Sequence, residues 1–437
     1  MGNVQKTICY LKRNGFKNTY YAVLERLFYK DAPFNAVKNE PYDGPIFEDI
    51  KFSVLVPIYE TKKEHLTAMI DSVLSQLYTN FELILADASV TTGPKEIIDE
   101  YADKDARVKY VRVAENKGIS ENTNVALAAA TGDYCALLDH DDLLTPDALY
   151  EIAVKLSMAR VKQTTINMIY SDEDKTNGDN SKYFGAHLKQ NLNLDLIMSN
   201  NYICHFTVIK TDLLKKLKLR GEYNGSQDYD LFLRVIAESE PENILHISKV
   251  LYHWRCHEAS TASNPASKDY AYVSGRRAIE DFVKTKFGCE PKVIELQHKG
   301  FYKVCFDEPS KDDVFKYRSD IGAVGSLYIR GNKVATGILN EDGTETFYKM
   351  NKHFSGYMHR AHLNQDVFAL DLRTVTPAPI LKEYFDTCMQ KFNEFALKQN
   401  SKLAIDEYMK QISREFGEKV KEKGLLFLYT FDTDLTE

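Results

Sequence analysis

The sequence predicts an α/β protein whose core is a mostly parallel, doubly wound sheet flanked by helices, with a smaller α/β region toward the C-terminus. Two observations carry this. From Lys51 onward, short β-branched apolar runs alternate with helix-periodic stretches, the pattern that builds parallel sheets through right-handed crossovers. The runs also hand over to Pro57, Asp87, Asn116 and Asp139 at or just beyond their carboxyl ends, where open α/β sheets bind their ligands.

Phe52 to Val56 reads as the first strand, ended by Pro57. Leu66, Ile70, Val73, Leu74 and Leu77 share one face of a helix over 66–77. A strand over 81–86, a helix over 97–102, a strand over 108–111 and an Ala-rich helix over 123–130 follow, and Tyr134 to Leu138 forms the next strand. Beyond Pro146 the alternation loosens. Met168-Ile169-Tyr170 is a short strand, 176–200 a long polar loop, and Ile203 to Ile209 a strand. Thr211 reads as the cap of a helix, and Ser226 as the cap of another whose apolar positions are Leu231, Phe232, Val235 and Ile236. Ile244 to Tyr252 is the last strand of this region, and two charged helices are expected near 381–399 and 402–422.

Composition narrows the function. A net charge of -7 over 437 residues argues against a dedicated nucleic-acid binder. The seven cysteines include no Cys-x-x-Cys pair, which suits a reducing cytosol. No secretory signal and no apolar run near the roughly 18 residues of a bilayer span is present, so the expectation is a cytoplasmic protein, soluble or peripheral to the inner membrane face. Residues 1–49 read as a basic amphipathic helix plus linker, with Lys6, Lys12, Arg13, Lys17, Arg26 and Lys30 against Glu25 and Asp31. Such a helix lies on an anionic membrane or packs its apolar stripe on the protein.

The chemistry concentrates in Leu138-Asp139-His140-Asp141-Asp142, where an apolar run ends in three carboxylates and an imidazole. Carboxylates this close repel one another unless a cation sits among them, and oxygen ligands select Mg²⁺ or Mn²⁺. A purely structural account makes the stretch a solvated loop, with Asp142 or Thr145 capping the helix ahead of Pro146. Ser171-Asp172-Glu173-Asp174 and Gln227-Asp228-Tyr229-Asp230 are further acidic groups, and Tyr252-His253-Trp254-Arg255-Cys256-His257 holds the single Trp.

Together with Val54-Leu55-Val56-Pro57-Ile58-Tyr59, Ser72-Val73-Leu74-Ser75-Gln76, Asn116-Lys117-Gly118-Ile119-Ser120 with Asn124, and Thr131-Gly132-Asp133-Tyr134, these motifs resemble, in order over 51–265, the family-2 glycosyltransferases of the GT-A fold. The resemblance implies a catalytic domain over 50–285 that transfers a sugar, with inversion, from a nucleotide-diphosphate sugar. Asp139 and Asp141 look like its DxD element, with His257, or else His253, completing an Mn²⁺ or Mg²⁺ site. Asp228 matches the catalytic base. Pro57, Tyr59, Glu60, Asp87, Asn116, Lys117, Asn124, Asp139, His140 and Arg255 would line the donor; Asp172, Glu173, Asp174, Gln227 and Trp254 would face the acceptor. Gln227 stands where many relatives carry Glu, and Asp87 alone stands where relatives often show two adjacent acids. Asp230 is read as a support of its helix.

The Tyr170–Lys175 and Tyr252–Arg255 segments are similar to the bacterial branch containing rhamnosyl- and galactosyltransferases of O-antigens and cell-wall polymers. That implies dTDP-rhamnose or a UDP-hexose as donor and a glycan or lipid-linked glycan as acceptor. Residues 286–437, through 320–328, 356–360 and 367–375, resemble the latter half of a second transferase domain without its acidic motifs. The competing classes are a non-catalytic sugar-binding scaffold, against which Asp139, Asp141 and Asp228 speak, and a nucleotidyltransferase, for which Pro57-Ile58-Tyr59-Glu60 lacks the glycines and basic residue of a phosphate loop.

Overall fold

The computed structural model describes residues 3–29, 42–256, 269–306 and 314–431. The chain forms two compact units. One consists of Phe34–Leu192 and Asn201–Phe282; the other of Met1–Pro33, Asn193–Asn200 and Val283–Glu437. In this division the N-terminal helix α1 (Asn3–Phe28) and an internal segment belong with the C-terminal region, whereas the boundaries expected from sequence, at 49 and 285, are linear.

The first unit runs β1 (Phe52–Ile58), α2 (Lys63–Leu74), β2 (Phe81–Asp87), α3 (Gly93–Ala102), β3 (Val108–Arg112), α4 (Ile119–Ala129), β4 (Tyr134–Leu137), β5 (Leu143–Leu144), α5 (Ala148–Val161), β6 (Met168–Asn177) and β7 (Tyr183–His187). After α6 (Leu194–Ser199), which belongs to the other unit, come β8 (Thr207–Lys210), α7 (Thr211–Leu217), α8 (Gln227–Ala237), β9 (Ile244–Cys256) and α9 (Asp269–Phe287), whose end from Val283 counts with the other unit. The strands form one sheet in the order β3-β2-β1-β4-β8-β6-β9-β5, with β7 paired to β6. β3, β2, β1 and β4 are parallel, β8 runs against both β4 and β6, and β9 is parallel to β6.

All seven residues of β1 and of β2 are buried, as expected of strands covered on both faces. Phe52, Val54, Val56 and Ile58 pack with Leu66, Met69, Ile70 and Val73 of α2 and with Leu149, Ile152 and Leu156 of α5 in one core. Gly132 sits where the turn into β4 meets the start of β1: a Cβ there would lie 2.7 Å from the Lys51 carbonyl. The same turn is tied by Asp133 N–H donating to Lys51 O at 2.7 Å and Lys51 N–H donating to Asp133 Oδ2 at 2.8 Å. The parallel strands therefore end on one edge, and that edge carries the acidic loop.

Several expectations are corrected. The polar stretch 176–200 contains β7 and α6 because β6 continues through Asn177 and needs a partner. The strand expected over 203–209 is confined to 207–210, leaving Asn201 to Phe206 irregular. Thr211 lies inside its helix, its hydroxyl 3.3 Å from Cys135 Sγ, and Ser226 directs its hydroxyl to Ala271 O rather than capping α8. The cap position of α5 is Asp147. Leu77 falls beyond α2 and is exposed.

In the second unit, β10 (Lys292–Glu295) pairs with β11 (Tyr302–Cys305), and α10 (Val314–Tyr317) precedes β12 (Ile321–Gly325). Two hairpins follow, β13 (Tyr328–Arg330) with β14 (Lys333–Thr336) and β15 (Ile338–Leu339) with β16 (Glu345–Thr346). β17 (Gln365–Val367), β18 (Thr376–Pro377), α11 (Lys382–Ala396), α12 (Lys402–Glu422) and β19 (Leu426–Tyr429) complete it, with a four-stranded sheet ordered β17-β19-β12-β18. Cys388 and Phe392 of α11 join Met409, Ile412, Phe416 and Val420 of α12 in its core.

Two polar ties fasten outlying segments to this unit. Fully buried Arg318 makes paired bonds to Asp195 at 3.1 and 3.0 Å and also to Asp320, while Asn193 bonds Asp366 through its main chain. The Glu25 carboxylate of α1 accepts from Ser355 N–H at 3.0 Å and Gly356 N–H at 2.7 Å, and Tyr21 stacks on His353 at 4.1 Å. Among the described residues no helix is long and apolar enough to cross a membrane.

Candidate active site

The edge where β1 and β4 end opens into a small cleft lined by Pro57, Leu138, Asp139, Cys204, His205, Thr207, Gln227, Asp228 and Phe232 among others. It brings together the first acid of the cluster after β4 and the acid that opens α8. The geometry follows from topology: β4 delivers Asp139 in register with β1, and the irregular Asn201–Phe206 stretch feeds β8 on the other side of β4.

Electrostatically the cleft is a crowd of acids around one cation. Asp139 keeps 45% of its side-chain surface open, yet its place at the cleft floor pushes its pKa up through desolvation, and Asp141 and Asp228 push the same way against the pull of His205 and His140. His205 Nε2 lies 4.0 Å from Asp139 Oδ2. Burial alone would lower the His205 pKa; Glu173 and Asp139 outweigh it and raise it to about 9, so the ring is an imidazolium at neutral pH. That ring stacks on Tyr252 at 4.7 Å and lies 5.7 Å from Trp254.

Asp228 is positioned by its own helix and by the irregular stretch. Its Oδ1 accepts from Tyr229 N–H at 2.8 Å in the first turn of α8, where a carboxylate favours the helix dipole, and its Oδ2 accepts from Asn201 Nδ2 at 3.2 Å. Desolvation and Asp228 together raise the Cys204 thiol well above its usual range. Asp230, in the same turn, is buried between Arg220 and Arg234, the helix support expected of it.

Asp142 does not cap the helix that follows. It is buried, accepts from Tyr252 Oη at 2.5 Å and Arg255 N–H at 2.8 Å, and so fixes the acidic loop to β9. Desolvation, then Asp141 and Asp139, raise its pKa far above the carboxylate norm. Arg255, expected at the diphosphate, is also buried: Nε donates to Asp141 O at 2.5 Å and Nη1 to Gly178 O at 3.1 Å, so it clamps the loop's main chain.

The acids expected to face the acceptor are likewise engaged inside. Asp172 accepts from Lys189 N–H and from His246 Nε2, both at 2.8 Å. Glu173 lies between His205 Nδ1 at 3.0 Å and His187 Nδ1 at 3.4 Å; desolvation would raise its pKa, but Lys189 and these imidazoles hold it well below the usual range. Asp174 bonds His253 Nδ1 at 2.5 Å, on the imidazole considered as an alternative metal ligand. Trp254 is half-buried with Lys175 Nζ 5.2 Å over its ring, and Gln227 Oε1 accepts from Gly225 N–H at 2.8 Å.

On the donor side, Tyr59 is exposed, His140 Nδ1 lies 3.0 Å from Thr61 Oγ1, and Lys117 pairs with Glu115 in solvent. Asp87 is fully buried, with Ser89 N–H, Tyr110 and Arg112 on its carboxylate. Three further residues expected at the donor are hydrogen-bonded within the protein. Glu60 gives both oxygens to Val90 and Thr91, joining the loops after β1 and β2. Asn116 Oδ1 accepts from Gly118 N–H and Asn122 Nδ2. Asn124 pairs with the Leu219 main chain at both amide ends, 2.9 and 2.8 Å.

His257 lies outside the described residues. Among the described residues no three His, Cys, Asp or Glu side chains converge on one metal position. Asp139 and Asp141 offer carboxylate oxygens, the donor type that a hard divalent ion takes. His205, Cys204 and Asn201 were missed from sequence. The signal was Cys204-His205, a thiol and an imidazole interrupting an apolar run that otherwise reads as strand.

A chain with this sheet and this acidic edge matches the family model "Glycosyl transferase family 2" over residues 53–218. It is 39% identical over 255 residues to the uncharacterized protein y4gI of Sinorhizobium fredii, covering 58% of this chain and 27% of that one. It is 31% identical over 233 residues to the O-antigen biosynthesis protein RfbC of Myxococcus xanthus, covering 52% and 18%. The putative glycosyltransferase EpsE of Bacillus subtilis is 32% identical over 195 residues, covering 43% of this chain and 67% of its own. The chain belongs to glycosyltransferase family 2, and its larger unit has the GT-A arrangement. It spans about a quarter or less of the first two relatives.

Proposed function

We propose that this chain is an inverting glycosyltransferase of bacterial surface-polysaccharide synthesis, taking a sugar from a nucleotide-diphosphate donor to a hydroxyl of a glycan or lipid-linked glycan. The observation that carries it is the convergence of Asp139 and Asp228 on one cleft at the carboxyl edge of the parallel strands. A pure binder needs no second carboxylate there. Asp228 accepts the proton of the acceptor hydroxyl as that oxygen attacks the anomeric carbon, and the sugar–phosphate bond breaks on the opposite face, the nucleoside diphosphate leaving with the electron pair. His205 adds a fixed positive charge to the cleft that receives the leaving group. Mn²⁺ or Mg²⁺, when bound by Asp139 and Asp141 with His257, supplies Lewis-acid neutralisation of the diphosphate.

The similarity to an O-antigen biosynthesis protein supports a polysaccharide product, and the Tyr170–Lys175 and Tyr252–Arg255 motifs support dTDP-rhamnose or a UDP-hexose. The acceptor is best placed at the cytoplasmic face of the membrane, with the second unit as a non-catalytic module descended from a transferase half. A screen of nucleotide sugars for nucleoside diphosphate release, with Mn²⁺ or Mg²⁺ present, tests the reading. One donor consumed by the full chain and spared by Asp228→Asn supports it; no donor consumed with any acceptor glycan overturns it.

A further inference from the structure

Large apolar side chains are exposed in unusual number along the C-terminal half of α1. Phe16 is 80% exposed, Tyr20 54%, Val23 42% and Leu27 66%, with Phe28 beside them at 77%. Their spacing of four, three and four residues sets the first four on one face of the helix segment that follows the break at Gly15. Tyr21 and Leu24 pack against the second unit's core, while buried Thr19 lines a cavity together with Val23 and Leu27 at the edge of the exposed face. Among the described residues, the face of Phe16, Tyr20, Val23 and Leu27 is left largely uncovered.

Its charge is equally one-sided. The helix carries Lys6, Lys12, Arg13, Lys17 and Arg26 against Glu25 in a chain of net charge -7, and Glu25 is spent on the amides of Ser355 and Gly356. Lys12, Lys17 and Arg26 are exposed. A contiguous exposed apolar face in a basic frame suits a surface that is greasy below and anionic above. We propose that Phe16, Tyr20, Val23, Leu27 and Phe28 form a docking face for the surface of an anionic lipid bilayer, with Lys12, Lys17 and Arg26 against the headgroups.

The proposal rests on the lipid-linked acceptor reading, by which the enzyme meets its acceptor at the bilayer. Its test is separable, because donor cleavage in the absence of vesicles reports on the transferase alone. Full-length protein is sedimented with vesicles of phosphatidylcholine containing about 30% phosphatidylglycerol, and with phosphatidylcholine alone, at low and high salt. Binding to the anionic vesicles that weakens with salt is expected, and Phe16→Asp/Leu27→Asp should cut the bound fraction about tenfold or more with thermal midpoint and donor cleavage unchanged. A full-length protein that stays in the supernatant overturns the proposal, as does a double variant that binds like the parent. So does self-association of the parent that the double variant abolishes while neither binds vesicles, because the face then belongs to a second copy of the chain.

Discussion

His205 is held at two points by one oxygen of Glu173: ring Nδ1 lies 3.0 Å from Oε2, and the backbone N–H of His205 donates to that oxygen at 2.8 Å. The acid thus fixes the ring's place and charge, with Nε2 turned toward Asp139. In the metal-free protein, His205 should titrate near 9, and Glu173→Gln should bring it down toward or below the ordinary 6.5, because burial then acts with less opposition. Histidine-resolved NMR reads this directly; an unmoved pKa would assign the charge to Asp139 instead. The sign for stability follows: the pair's contribution through His205 is full below about 6.5 and is lost as pH climbs through about 9.

Asp228→Asn preserves shape and removes the proton acceptor. Turnover should fall by about 10² to 10⁴-fold with donor affinity held, measured as kcat against KM. Weakened donor binding at unchanged turnover would make Asp228 a substrate ligand.

Asn124→Ala separates the site as expected from sequence and as built. Since Asn124 satisfies both main-chain groups of Leu219, its loss should cost about 1–3 kcal/mol of stability in denaturant unfolding and leave donor KM nearly unchanged. A large rise in KM at unaltered stability would restore the donor-ligand role.

Glu82 gives an acid-limb prediction. Desolvation would raise its pKa, but Lys109, Ser53, Thr131 and Lys51 together bring it down to about 2. The stability it confers is therefore present above about 4.5 and fades as pH falls toward 2. The stability gap between the parent and Glu82→Gln should shrink over that range; a gap constant with pH would remove the charge from the explanation.

Arg318→Met should strongly destabilise the second unit, by about 3–5 kcal/mol, because it leaves Asp195 unpaired beside Asp366, whose own pKa burial and Asp195 already push far up. Adding Asp195→Asn should recover part of that loss in thermal unfolding.

What was legible in the sequence is what depends on neighbours in the chain. The buried runs of β1, β2 and β4 and the acidic loop they lead to are local patterns. So is Asp230, one helical turn from Arg234. The rest rests on partners far apart: Asn124 with Leu219, Asp142 with Tyr252, Glu173 with His205. No spacing rule distinguishes a carboxylate that will meet a sugar from one that will meet a buried imidazole. The sequence therefore shows Asp172 and Glu173 as acids without showing their imidazole partners, and His205 lies in a stretch that reads as strand.

The second unit is assembled from three stretches of chain, with Asn193–Asn200 inserted between the halves of the first. During synthesis this imposes an order. The partners of Asn193 and Asp195 are Asp366 and Arg318, so a ribosome that has just made α6 must add the whole stretch through β17 before that helix can be secured. At typical elongation rates the wait is on the order of ten seconds or more. Through that interval the ties of Asn193 and Asp195 cannot form, so the second unit closes only after the C-terminal region has emerged.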